Sequence, residues 1–318
     1  MAGTMTHAFF AEDLYKRLDN KRYVELEDLK TFSQGHDIFF FSTNLHNKQK
    51  KIGNYMHKNN TKNFFINMIT YIYDNKLQND KNIISFLYGY ICHYALDSSI
   101  HPYVTYKTGV FNKKKKETYK YNSKHNDLES YVDAYMISQR EKIKPNKFKL
   151  HKFCFNAKVS NNLSKLVDYV YNKTYGFNKM ALYLKQGIFN MKVSYRFLRY
   201  DPIKIKKKIY NIVDKISPNT IKKLSPISLA YELNNNDYYL NLSRKTWVHP
   251  RYKNEKYNSS IKDIYNNALN MALGIIKEVN KILYENGDIN KLNTIFTNIS
   301  FTSGKDCNDK TKNKYFEF

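Results

Sequence analysis

Apolar residues recur at three- and four-residue intervals almost throughout this chain, and no other feature restricts its fold as tightly. The pattern runs through Ala8–Leu18, Phe64–Tyr73, Ile83–Ile100 and Leu128–Ile137, then through Leu163–Met191 and Ile261–Leu283. Side chains three or four apart share one helix face, whereas a half-buried strand needs alternation, and no long alternating segment occurs. Ser260 and Asp263 form a capping pair ahead of the final stripe. Turn chemistry punctuates the pattern at Asp201-Pro202, Ser217-Pro218, Ser225-Pro226, Asn234–Asn236 and His249-Pro250. No internal repeat suggests a solenoid. The fold class expected is all-α, a compact multi-helix bundle.

A chain of 318 residues is long enough to bury about three-quarters of its unfolded surface, room for a dry, shaped site. Its composition excludes a disordered or fibrous protein. Fifty-three Lys and Arg against 28 Asp and Glu leave a charge of +25, which attracts phosphate in nucleic acid or in an anionic membrane without choosing between them. Lys, Asn, Ile and Tyr are also residues that an AT-rich genome favours, so codon supply is the bland account of part of the excess. The run Lys113–Lys116 reads as a solvated loop, with a phosphate-attracting rim as the alternative. Cys92, Cys154 and Cys307 make no disulfide framework and read as reduced thiols. Met1–Leu14 lacks the apolar run of a secretory signal, so a cytoplasmic location is expected, at most peripheral to a membrane. The apolar stretches Phe64–Tyr73 and Ile83–Tyr94 stop well short of the ~18 residues needed to span a bilayer.

Of nine histidines, six fall within the first 101 residues. His93, Asp97 and His101 are four apart, a step that turns a helix by roughly 400°, so imidazole, carboxylate and imidazole form one stripe drifting by about 40° per step. His125, Glu129 and Asp133 repeat the spacing. Two such helices in contact would bring both stripes to one cavity. A His four residues from an acid is often only an exposed ion pair worth about 0.3 kcal/mol. The His93 segment is otherwise apolar, however, with Phe86, Leu87, Tyr90, Ala95 and Leu96, and burying Asp97 there without a cation is costly. Imidazole and carboxylate without thiolate is the donor set of a catalytic zinc site. Upstream, His7 follows Thr6, a candidate helix cap; Asp37 heads the aromatic run Phe39–Phe41; and His57 completes the set. His36, His46 and His151 have no partner at useful spacing and are placed at the surface or behind the ligands.

In order along the chain, Thr6-His7, Gly35-His36-Asp37, Met56-His57, His93-x3-Asp97-x3-His101 and His125-x3-Glu129 resemble the bacterial zinc-dependent phospholipase C family, whose fold is shared by fungal single-strand-specific nucleases. The resemblance covers about residues 5–135. It implies that Asp37, His57, His93 and Asp97 bind one zinc and His101, His125 and Glu129 a second. In the family's secreted members a third zinc is held by the counterparts of His7 and Asp97 and by an N-terminal tryptophan; no tryptophan precedes His7 here. Two or three zinc ions per chain are therefore expected. The step from Asp97 to His101 is shorter than in the secreted enzymes, and the aromatic residue that follows the Asp37-type carboxylate in choline-selective relatives is Ile38, so headgroup preference does not carry over.

The expected organisation is one helical domain over residues 1–302, with metal ligands within 5–140 as the resemblance implies, packing and cleft helices over 150–302, and a tail over 303–318 whose polar composition reads as loose. It implies hydrolysis of a phosphodiester by an activated water, with Asp37 also accepting the water's proton, and for a phospholipid it gives diacylglycerol and a phosphorylated headgroup. Phe39–Phe41 and nearby tyrosines are expected near the cleft. Two other readings stand beside this one. A nuclease with the same metals suits the charge and the 29 tyrosines, on which bases stack. A non-catalytic metalloprotein would hold anionic membrane through its lysines. Trp247 is either a buried anchor for the last helix or part of the cleft wall, and its neighbour His249 is left without a role. Oligomeric state is not legible.

Overall fold

The computed structural model describes residues 3–42 and 48–317. The element on which the rest is hung is α5 (Lys81–Thr108), capped by Asp80, whose carboxylate accepts from Asn82 N and Ile83 N. It is apolar on almost every side and correspondingly buried along most of its length, as expected of a helix at the centre of a bundle. Around it pack α1 (Thr4–Arg17), α2 (Leu26–Phe32), α6 (Lys124–Glu141) and α12 (Ile261–Tyr284). The stripe Ile261, Ala268, Leu269, Ala272, Ile276, Val279 and Ile282 seats α12 on this core, each large aliphatic side chain contributing about 1.5–3 kcal/mol on burial. The anticipated capping box is present, with Ser260 and Asp263 bonded reciprocally.

A second layer is formed by α3 (Lys48–Met56), α4 (Thr61–Asp74), α8 (Asn161–Tyr175) and α9 (Met180–Ser194), with the short α7 (Leu150–Cys154) beneath. The continuous stripe Leu163–Met191 is two helices, not one. Gly176 N donates to Asn172 O and Phe177 N to Tyr171 O, which closes α8 before α9 begins. Farther on come α10 (Ile205–Ile216), α11 (Asn236–Leu240), the hairpin β1 (Trp247–His249) and β2 (Tyr252–Tyr257), and the short α13 (Leu292–Ile295). The hairpin turns at His249-Pro250 and pairs Trp247 with Tyr257. The fold is all-α apart from this hairpin. No helix is long and apolar enough to cross a membrane.

Trp247 is a buried anchor. Its indole N–H donates to Ser259 O beside the α12 cap, and its ring stacks on Tyr257 at 4.5 Å. His249 is buried too, with Nε2 2.9 Å from Ser303 O. Residues 303–317, expected to be loose, are docked: Lys314 N and Tyr315 N donate to Pro250 O, Lys107 Nζ pairs with Glu317 and Phe316 packs on Tyr121. A polar composition concealed backbone hydrogen bonds that only tertiary contact supplies. The three cysteines are free and buried.

Candidate metal centre

Two clusters of metal-ligating side chains lie along α5. His7 Nε2 stands 3.2 Å from Asp97 Oδ1, and the His7 ring stacks on His93 at 4.7 Å. On the other carboxylate oxygen, His93 Nε2 is at 3.5 Å, His101 Nδ1 at 3.7 Å and His57 Nε2 at 4.0 Å. His57 Nε2 is also 3.0 Å from Asp37 Oδ1 and 3.3 Å from His93 Nε2. Donor atoms of His7, Asp37, His93 and Asp97 all lie within 4.8 Å of one another. One turn on, His101, His125 and Glu129 form the second cluster, with His125 Nε2 2.8 Å from Glu129 Oε1 and His101 Nε2 3.8 Å from the same oxygen. All eight residues expected from the sequence are thus brought together.

Local structure explains how. Asp37 sits on a 3-10 turn, Gly35–Phe40, entered through Gly35 at φ +51°. A Cβ there would lie 2.3 Å from the His93 ring, so only glycine lets this turn rest directly on α5. His57 follows the last turn of α3, where its Nδ1–H donates to Gly53 O at 2.7 Å and leaves Nε2 facing Asp37. Likewise His101 Nδ1–H donates to Phe301 O at 2.7 Å, turning Nε2 towards Glu129.

Burial pushes the imidazolium forms of His93 and His36 far down and brings His101 to about 3, so these rings are held neutral, the form in which an imidazole ligates a metal. For Asp97 burial acts upward, yet His101 and His93 hold it well below the usual carboxylate range. Glu129 is brought to about 2 against the opposing effect of burial, chiefly by His125. Burial raises Asp37, offset in part by His57. Two imidazole Nε2 atoms 3.3 Å apart beside two buried carboxylates, together with a His7 ring neither of whose nitrogens completes a hydrogen bond, fit a shared divalent cation.

The structure moves several other expectations. Thr6 is no cap, because α1 begins at Thr4 behind Gly3. Asp133 leaves the metal stripe: fully buried, it accepts from Thr6 N and Oγ1, each at 2.9 Å, and pairs with Arg199 at 3.1 Å. Two steps of drift carry it about 80° from His125 around α6, towards the strand of chain that delivers His7. Asp133→Ala strands these three donors and is expected to destabilise the fold by about 3 kcal/mol, read from the shift in a denaturant midpoint. His36 lies behind His57 rather than at the surface, bonded to the Tyr171 hydroxyl and stacked on Phe301. His151 is buried against Tyr200, away from both clusters. His46 lies outside the described residues. Phe39 is in the core, whereas Phe40 stacks on His57.

The second cluster, and the first through His57, open into a cleft of about 570 Å³ lined by Phe40, His57, His101, His125, Glu129 and Lys222. It shares Thr105, His125, Lys222 and Thr302 with a neighbouring cavity that reaches Lys58 and Arg251. Lys113–Lys115 form an exposed loop, Lys116 opens a 3-10 turn, and none of the four lines either cavity. Against the models of known protein families, residues 6–174 match that of the zinc-dependent phospholipase C family. The chain belongs to this family. No curated protein and no solved structure matches it. In this member of the zinc-dependent phospholipase C family, every candidate ligand lies within the matched residues.

Phe301, Thr302 and Lys222 lie beyond the match, and no spacing in the sequence announced them. Phe301 N donates to His57 O at 2.9 Å while its carbonyl accepts from His101, so one residue holds a ligand of each cluster. The turn that presents it closes at Gly304, φ +65°, where a Cβ would meet Ser98 O at 2.6 Å. Pro102, inside α5, has no N–H to occupy that carbonyl.

Proposed function

We propose that this protein hydrolyses phospholipids, cleaving the phosphodiester to diacylglycerol and a phosphorylated headgroup. The observation that supports it most is the adjacency of two donor clusters along one helix, His57, His101, His125 and Glu129 lining a cleft that Lys222 also lines. Zinc is the metal the family name and this nitrogen–oxygen donor set favour. Asp37, His57, His93 and Asp97 would hold one ion, and His101, His125 and Glu129 another. His7 with Asp97 offers a third position. Bound zinc supplies a Lewis acid to the phosphate and to water.

The chain's own groups do the rest. Asp37, whose basicity burial raises, accepts the proton of the attacking water. Oxygen attacks phosphorus, the bond to the glycerol oxygen breaks, and that oxygen takes up a proton as diacylglycerol leaves. Phe40 supplies an apolar wall beside His57, and Lys222 attracts the anionic headgroup.

The test is a water-soluble short-chain lecithin against single-stranded DNA, each with and without chelator. Lecithin hydrolysis should fall at least ~10³-fold on chelation and return with added zinc, and the untreated protein should carry two or three zinc equivalents. Hydrolysis of DNA alone would replace this reading with a nuclease. Bound zinc with no turnover on either would leave a metal-stabilised binding protein.

A further inference from the structure

Among the described helices α10 stands out because it faces the wrong way. None of its residues is buried, and Ile205, Ile209, Ile212 and Ile216 are 50, 51, 62 and 79% exposed. Steps of four, three and four put these isoleucines on one face. The polar side is the one turned to the protein. Asp201 accepts from Lys206 N and Lys207 N, Asp214 accepts from Leu224 N and Ser225 N, and Lys207 Nζ donates to Ser225 O. A helix at a protein–water boundary does the reverse. In the segments on either side, Phe197, Ile203 and Ile221 are 61, 71 and 56% exposed. Isolated apolar residues at a surface need no explanation, but an ordered face of them does.

Charge decides what covers it. Between residues 196 and 223 there are nine Lys or Arg and only two Asp, and both carboxylates are engaged by the backbone amides just named. A second copy would bring the same positive patch, so like charges would meet. An acyl layer beneath anionic headgroups satisfies both the isoleucines and the lysines. The patch also adjoins the cleft: Leu198, Arg199 and Ile227 line a pocket with Glu129, and Lys222 lines the main cleft.

We propose that α10 docks the protein on an anionic phospholipid surface. Ile205, Ile209, Ile212 and Ile216 enter the acyl boundary, Lys204, Lys208 and Lys215 lie in the headgroup layer, and the cleft mouth is brought to the lipid. The benefit to catalysis rests on the phospholipase reading; the docking does not.

The full-length protein is sedimented with vesicles of phosphatidylglycerol and phosphatidylcholine at low and high salt, and zinc-loaded samples are assayed on monomeric short-chain lecithin. Wild-type binding should weaken with salt, and by about fivefold for each of Lys204, Lys208 and Lys215 changed to Gln. The double variant Ile209→Asp/Ile212→Asp, at exposed positions outside the cleft, should bind vesicles roughly tenfold or more weakly with unchanged hydrolysis of the monomeric substrate. Equal vesicle binding by this variant, no wild-type binding, or a stable dimer that the variant dissociates without vesicle binding would overturn the proposal. Vesicle binding that the variant loses, with no lecithin hydrolysis by either, supports the docking and overturns the phospholipase reading.

Discussion

Asp97→Asn should reduce phosphodiester hydrolysis by about 10³-fold or more while leaving the helical circular dichroism unchanged. The substitution keeps the shape of the side chain and removes its charge. His7 lies 3.2 Å from one carboxylate oxygen, and His93, His101 and His57 lie 3.5, 3.7 and 4.0 Å from the other. An amide cannot present two anionic oxygens to cations on both sides. Zinc content measured by mass spectrometry should therefore drop by at least one equivalent. Full zinc content with activity within about tenfold of wild type would show that Asp97 is not the carboxylate around which the centre is built.

Phe301→Ala should cost about 3–5 kcal/mol of stability, read from the denaturant midpoint at unchanged m-value, and weaken zinc binding about 10- to 100-fold. The ring is 1% exposed; it stacks on His36 at 5.7 Å and meets His57, His93 and Tyr94 at 5.5–5.6 Å between centroids. Alanine leaves the backbone bonds to His57 and His101 in place, so this variant isolates the ring. Phe301→Pro removes, along with the ring, the N–H that donates to His57 O, and should reduce zinc affinity further. Loss of stability without loss of zinc affinity would reduce Phe301 to a core residue.

What the sequence disclosed follows the range of the interactions involved. The stripe His93, Asp97 and His101 was legible because helical spacing is local, and its burial followed from the apolar residues around it. Asp37, His57 and His7 come from separate elements and became legible only through their order along the chain. Asp133 obeyed the same spacing as Glu129 but was carried by accumulated rotation to Thr6 and Arg199. The break in Leu163–Met191 had its signal in Gly176, which the periodicity overran. Phe301 could not be found this way, because its contact with His57 spans more than 240 residues and its main contributions are a backbone amide and carbonyl, which every residue but proline possesses.

The coupling of Phe301 to both clusters also fixes when this centre can exist. His7 is added to the growing chain long before residue 301, whose amide secures His57 and whose carbonyl orients His101. Until then the imidazoles lack their final orientation, so a nascent chain already carrying every candidate ligand is still an incomplete catalyst. A metal held by these clusters would therefore meet its finally oriented ligands only late in the synthesis of the chain.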